Sequence, residues 1–350
     1  MSASETSVTE STAAGKPVGF GMIGLGVGRS RVQMVQEAAG ADLRAVCDLR
    51  PEVARQHGEE WNCAWTTSYE ELIQRDDVDV VGIFTPSGTH GDLAIAAASA
   101  GKHVITTKPP EVTVAKVDAM AAAARQAGVL LAVDFVSRYT DAVREVKLAI
   151  DSGRLGRPIF GDMRLKWYRA QSYFDGGSPP GWRGSWRYDG GGSLANQGIH
   201  DLDLLQWFMG PATTVQARIN IFNHRIETED ACQVWVAFES GAWGSIETTT
   251  TVWGGLGRTI EVHGTNGTMQ LADRGVTAWH FQDEDEGQAA AWAPELPSDR
   301  PANVIEDILS ALHRGTPLAC PIEEGRKAVA LLEAIYASAK EGSRELRVWG

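Results

Sequence analysis

The chain has 350 residues, 43% of them hydrophobic and 22% charged, with a formal net charge of −13. That length exceeds what one hydrophobic core usually serves, so two folded units are expected. The acidic balance argues against nucleic acid or an anionic membrane as partner, and no apolar run reaches the ~18 residues of a membrane-spanning helix.

Residues 1–16 (MSASETSVTESTAAGK) lack the apolar centre and paired arginines of an export signal and read as a disordered polar tail. Cys47, Cys63, Cys232 and Cys320 are scattered and form no CxxC, which points to reduced thiols and a cytoplasmic protein. Val18, Phe20, Met22 and Ile23 then make a short apolar strand, followed at once by Gly24, Gly26 and Gly28. Arg31 to Ala39 reads as a helix stopped by Gly40. Strand, glycine turn and helix are the context of a dinucleotide-binding loop: the glycines let the backbone approach a pyrophosphate, and the free N–H groups of the helix end hold it. The third expected glycine is Arg29, and the last glycine stands one residue early. Leu43 to Cys47 reads as the next strand and ends in Asp48, 24 residues after Gly24, where an acid would grip a ribose 2′-hydroxyl. The residues expected to hold the cofactor are therefore Gly24, Leu25, Gly26, Val27, Gly28, Arg29, Asp48 and Arg50. Asp48 favours NAD by repelling a 2′-phosphate, and Arg50 leaves NADP possible.

Further β-α units follow. Val78 to Phe84 is nearly continuous β-branched sequence, the mark of a strand buried on both faces of a parallel sheet. It runs into Thr85, Pro86 and the segment to His90. His103 to Thr107 is another strand, ending at Lys108-Pro109-Pro110, and Val114 to Ala127 is an Ala-rich helix stopped by Gly128. This alternation predicts a doubly wound parallel sheet over residues 17–137, with ligands at the carboxyl ends of its strands. Thr85, Pro86, His90 and Lys108 occupy such ends and are expected to face the nucleotide.

From residue 138 to 350 the pattern changes to an α+β unit. Six strand-like segments lie between Ile159 and Ala272 with few helices between them, and Asn266-Gly267 marks a tight turn. They predict a large, open, mostly antiparallel sheet. The exception is 191–209, read as one helix whose Asn196 and His200 share a face. His200, Asp201 and Asp203 do not converge as metal ligands, and no metal is expected. Ala302 to Arg314 and Glu323 to Ala339 are closing helices, and Asp283 to Gln288 is an exposed acidic loop.

Taken together, GMIGLGVG with Asp48, TPSGTH, GKHVITTKP, SGRLGRPI, Trp182-Arg183, GGGSLANQGIHDLDLLQWFMG and EAIYASAKEG resemble the Gfo/Idh/MocA family (glucose–fructose oxidoreductase, inositol dehydrogenase and rhizopine-catabolism proteins) over nearly the whole chain. The resemblance implies a Rossmann domain, a second domain on an open sheet, and homodimers or homotetramers formed through that sheet. It implies NAD(P)-linked oxidation or reduction of sugars and polyols, with Lys108 and His200 as the catalytic pair. Two residues depart from the pattern: Thr107 stands for a glutamate and Asn196 for an aspartate. Both changes remove a negative charge, which would make Lys108 and His200 easier to hold neutral.

On this reading a secondary hydroxyl lies between Lys108, His200 and the nicotinamide; one residue takes the proton while the other steadies the oxygen. Residues 165–192 form the substrate wall, with Tyr168, Arg169, Trp182, Arg183, Asn196 and His200 as substrate ligands and Arg138 and Tyr139 as further candidates. The alternatives are a NAD-dependent glycosidase of the same fold, in which the hydride is transferred to NAD and returned to the sugar, and a non-catalytic nucleotide or sugar sensor.

Overall fold

The protein is described here by a computed structural model covering residues 16–282 and 294–348. All but Lys16 of the polar tail, and the acidic segment 283–288, lie outside the described residues.

The first sheet is built by strictly alternating units: β1 (Val18–Ile23), α1 (Gly28–Glu37), β2 (Ala41–Cys47), α2 (Pro51–Glu60), β3 (Ala64–Thr66), α3 (Tyr69–Ile73), β4 (Val80–Ile83), α4 (His90–Ser99), β5 (His103–Thr107), α5 (Val114–Ala127) and β6 (Leu131–Asp134). The six strands are all parallel, in the order β3-β2-β1-β4-β5-β6. Every residue of β1, β4 and β6 is buried, as continuous apolar strands covered on both faces must be. The chain leaves β1 toward β2 on one side and returns to β4 on the other. That reversal opens a crevice at the carboxyl ends of β1 and β4. Helix α1 starts at Gly28, three residues ahead of the predicted Arg31.

The second half contains α6 (Asp141–Asp151), β7 (Pro158–Lys166), α7 (Gln171–Asp175), a π-helical turn at Ser193–Gly198, α8 (Ile199–Met209), β8 (Ala212–Asn220), β9 (Ala231–Phe238), β10 (Trp243–Thr249), β11 (Gly257–Gly264), β12 (Gly267–Ala272), β13 (Gly275–Phe281), α9 (Val304–Arg314), α10 (Ile322–Lys340) and β14 (Leu346–Arg347). Its eight strands run β13-β12-β11-β7-β10-β9-β8-β14, antiparallel except for the β7–β10 pair. The two-residue period shows in β9, where Cys232, Val234, Val236 and Phe238 point inward while Gln233 and Trp235 point out. Helices α6, α8 and α10 pack on the inner face, and the other face carries none of the described helices.

The predicted single helix over 191–209 is not one helix. Residues 191 and 192 are irregular, 193–198 form the π turn, and only 199–209 are α-helical. The cause is close packing of backbone: a methyl on Gly192 would sit 1.8 Å from the Glu229 carbonyl oxygen, and one on Gly191 would sit 2.1 Å from the Tyr336 hydroxyl. Helix α9, assigned from sequence to the second unit, packs instead on the first sheet: Val304, Ile305, Ile308 and Leu309 share a core with Phe20, Met22, Val32 and Val46. Among the described residues no helix is long and apolar enough to cross a membrane.

Candidate active site

The glycine turn follows β1 directly. Gly24 has φ +89°, and a side-chain carbon there would meet the Phe84 carbonyl oxygen at 2.7 Å. A carbon added to Gly26 would meet no protein atom within 4 Å, so this glycine keeps open the space in front of the turn, where a pyrophosphate needs it. Gly28 lies on Phe84 and begins α1, whose first turn carries no acidic residue to oppose an anion. Val27 is 52% exposed, and Arg29 is also exposed, its Nε donating to the Gly26 carbonyl at 3.4 Å.

Asp48 accepts the Leu25 N–H at 3.1 Å, the Arg50 N–H at 3.0 Å, and the Arg50 guanidinium at 2.9 and 3.1 Å. Burial pushes this carboxyl up, but the Arg50 and Leu25 hydrogen bonds outweigh it and hold Asp48 below the usual range. The residues present fit a dinucleotide: an open glycine turn, a free helix end and an ionised acid at the tip of β2.

The two strand-end loops behave differently from each other. The Thr85 and Thr89 hydroxyls hydrogen-bond at 2.8 Å after β4. His90, expected to touch the cofactor, has no exposed surface. Its ring nitrogens lie 2.8 Å from the Thr85 carbonyl oxygen and 2.9 Å from that of Pro109, so it ties the β4 loop to the β5 loop from beneath. A histidine at the start of an Ala-rich helix is drawn inward by the same packing that buries α4.

Lys108 follows β5 and precedes a cis Lys108–Pro109 bond. Its Nζ donates to the Asn196 carbonyl at 2.6 Å, a contact spanning both halves of the chain. Burial pushes the amine down from 10.5 to about 8; the carboxylates of Asp189 and Asp134 resist, while Arg31 and Arg183 add to the fall. His200 stands in the first turn of α8, edge-on to Phe135 at 5.9 Å. Burial first, then the Lys108 charge, holds its ring far below the usual histidine range, so it is neutral. Its Nδ1 is buried with no partner. The Lys108 charge thus reaches the His200 ring, and the Lys108 amine is bonded to a carbonyl four residues before it in the chain.

Asn196 joins them to the substrate wall. Its Nδ2 donates to Asp189 at 2.5 Å, and its Oδ1 accepts from the Tyr173 hydroxyl and from Gln197 Nε2, both at 3.2 Å. Asp189 is 1% exposed and also accepts the Gly184 N–H at 2.8 Å; burial raises it to about 6. A buried acid bonded to Asn196, Asp189, thus stands within reach of Lys108 and resists the fall of its amine. Lys108 is still lowered, but mainly by burial. Glu229, fully inside and raised by burial to about 7, accepts the Gly192 and Leu194 N–H groups at 2.9 Å each and so caps the π turn. Nothing local in the sequence marks Glu229, whose partners lie up to 37 residues away, and Asp189 is placed by a loop whose course no periodicity gives.

Of the wall residues, Arg169 and Arg183 flank the Tyr173 ring, at 5.3 and 4.8 Å from its centre, and Arg183 also lies over Trp182 at 4.5 Å. Tyr168 stacks on Trp253 at 4.1 Å beside a cavity of about 460 Å³ lined by Trp167, Tyr168, Arg169, Gly254 and Gly255. Trp253 was not foreseen, since it sits in a loop far along the chain. Arg138 and Tyr139 are not ligand-facing. Arg138 is 3% exposed and bonded to Asp203 at 2.7 and 2.8 Å, and the Tyr139 hydroxyl donates to Asp307 at 2.9 Å. Among the described residues, one group has metal-ligand proximity, Asp162, Glu261 and His263 on β7 and β11, and it lies outside this constellation.

Residues 18–135 match the model of an oxidoreductase family with an NAD-binding Rossmann fold, and residues 143–270 match that of the GFO/IDH/MocA C-terminal domain. The chain is 30% identical to scyllo-inositol 2-dehydrogenase (NAD(+)) of Bacillus subtilis, over 70% of this chain and 71% of that one. It is 34% identical to 1,5-anhydro-D-fructose reductase of Ensifer adhaerens, over 71% and 72%. Its fold matches the WlbA dehydrogenase of Bordetella pertussis, solved with NADH and UDP-GlcNAcA, at a TM-score of 0.86 and 28% identity, covering 96% of this chain and 99% of that one. On these matches the chain belongs to the Gfo/Idh/MocA family of NAD-binding oxidoreductases.

Proposed function

We propose that the protein is a sugar or polyol dehydrogenase in which Lys108 is the proton acceptor and His200 orients the reacting oxygen. What supports this reading is the Lys108 amine, lowered to about 8 and bonded to the Asn196 carbonyl four residues before His200, whose ring its charge reaches. NAD, when bound, accepts the hydride. Gly24, Leu25, Gly26, Val27 and Gly28 line its pyrophosphate, Asp48 takes the ribose, and Thr85 and Pro86 border the nicotinamide side. Arg29 and Arg50 frame the outer edge, and His90 holds the two loops in register.

Lys108 has one strong hydrogen bond, to the Asn196 carbonyl, which aims its nitrogen while leaving capacity for a substrate hydroxyl. As the carbinol C–H bond breaks, the hydroxyl proton passes to the Lys108 nitrogen and the carbonyl forms. Burial and the Lys108 charge lower the His200 ring and make it the weaker base, and its imidazole donates a hydrogen bond to the same oxygen. Tyr168, Arg169, Trp182, Arg183 and Asn196 surround the rest of the molecule. The relatives that act on inositol and anhydrofructose support this substrate class.

The outer face of the second sheet supports a homodimer or homotetramer. Trp235 and Trp243 stand there 58% and 63% exposed, with Phe160 paired beside Trp243. Four unpaired cysteines support a reducing, cytoplasmic setting. The experiment is a panel of sugars, inositols and sugar acids with NAD and NADP, read as NADH or NADPH absorbance. Reduced cofactor formed from at least one polyhydroxy substrate is expected; glycoside cleavage without reduced cofactor, or no turnover with any, refutes the reading.

A further inference from the structure

The guanidinium groups around the site divide into two sets. Arg31 is paired with Asp134 at 2.8 Å, Arg258 with Asp201 at 2.5 Å, Arg138 with Asp203 at 2.7 Å and Arg50 with Asp48 at 2.9 Å. Arg169 and Arg183 have no carboxylate partner among the described residues, only contacts with rings and a backbone carbonyl. The Nε of Arg169 is buried and makes no hydrogen bond, and its Nη1 reaches only the Tyr168 carbonyl, at 3.5 Å. A buried donor left without an acceptor is costly, and a polar group so placed waits for a partner.

The two cations also share one ring. Both lie over Tyr173, whose hydroxyl donates to Asn196, whose carbonyl in turn receives Lys108. They therefore stand beside the reacting position, two like charges 5.3 and 4.8 Å from the centre of one aromatic ring. The nearest buried acid, Asp189, is already committed to the Gly184 N–H and to Asn196 Nδ2, so it gives Arg183 its field but no hydrogen bond. The chain as a whole carries −13, so two unmatched cations at its catalytic cleft are not explained by surplus basic residues. The phosphates of the cofactor belong at the glycine turn on α1, in the other half of the protein, and do not account for them.

Resting on the dehydrogenase reading above, we propose that the substrate is a sugar or polyol bearing an anionic group, a carboxylate or a phosphate ester, held between Arg169 and Arg183. Planar guanidinium forks match the paired oxygens of either group. Tyr168 and Trp167 lie along the cavity next to Arg169 and supply apolar walls for the faces of the ring. An anion here supplies both guanidiniums with an acceptor and fixes which hydroxyl reaches Lys108.

The test uses the full chain with saturating NAD. A panel of neutral sugars and inositols is paired compound by compound with the corresponding uronate, aldonate and phosphate ester, and kcat/KM is read from NADH formation. An acid is expected to exceed its neutral partner by about tenfold or more, and the winning arm distinguishes carboxylate from phosphate. Arg169→Gln and Arg183→Gln are each expected to collapse that acid-to-neutral ratio by about tenfold to a hundredfold, with Arg183→Lys intermediate. Equal rates on acid and neutral partners, or a ratio unmoved in both variants, overturn the proposal. If no compound is turned over, the dehydrogenase reading fails by itself, and quenching of tryptophan fluorescence in the NADH-bound protein decides the anion site. Quenching by glucuronate or glucose 6-phosphate but not by glucose, and lost in the two Gln variants, sustains it; no selectivity for the acids overturns it.

Discussion

Asp189→Asn isolates the electrostatics of Lys108. In the native protein the amine titrates at about 8, with the Asp189 carboxylate among the charges holding it up. A lowered lysine is charged below that value and neutral above it, so the rate of alcohol oxidation is expected to rise with pH through about 8. A group with that pKa is about 9% neutral at pH 7 and about 91% at pH 9, an increase of about tenfold. Asp189 itself titrates near 6, so it stays ionised across this window. Removing its charge while keeping its shape lowers the amine further, by about one unit for an opposite charge at close range. The limb then moves toward pH 7, and the rise between pH 7 and 9 shrinks to about twofold. Asn196→Asp, which adds a charge at the neighbouring position, is expected to move the limb the other way, as is Thr107→Glu. The assay is kcat at saturating substrate and NAD from pH 6 to 10, with circular dichroism confirming that each variant is folded. A limb that stays in place in Asp189→Asn and in Asn196→Asp refutes the assignment of this titration to Lys108.

Three further outcomes follow from contacts elsewhere. Arg138→Met strands the Asp203 carboxylate inside the protein and is expected to cost about 3–5 kcal/mol in urea unfolding, with the Arg138→Met/Asp203→Asn double variant recovering part of it. Asp48→Ala removes the charge that opposes a 2′-phosphate and frees Arg50 to meet one, so the preference for NAD over NADP in kcat/KM is expected to fall by about tenfold or more. Gly24→Ala places a methyl against the Phe84 carbonyl at a φ of +89°, and a loss of about 1–3 kcal/mol is expected in thermal unfolding, together with weaker NADH binding.

Much of the architecture was legible because it depends on local pattern. The apolar runs of β1 and β4 announce strands covered on both faces, and the glycines after β1 announce the turn. Alternation in β9 announces a sheet with one exposed face. What could not be read depends on contacts distant in sequence. His90 is indistinguishable by sequence from a loop histidine, and only the packing of α4 under two loops makes it a buried tie between Thr85 and Pro109. The break in 191–209 arises from the backbone of Glu229 and the hydroxyl of Tyr336, which no helical periodicity contains. Asp189 meets the Asn196 side chain through a loop whose course the sequence does not state. Helix α9 carries an apolar stripe that fits either sheet, and the chain returns it to the first. Strand β14 has only two residues, too short for any period to show.

In the proposed mechanism Lys108 and His200 act together on one oxygen over a bound dinucleotide. Its most direct measurement is turnover and NADH affinity in Lys108→Ala and His200→Ala, side by side with the native protein. Both variants are expected to bind NADH with little change and to lose about 10²–10⁴-fold in kcat. Turnover close to native in both contradicts the account.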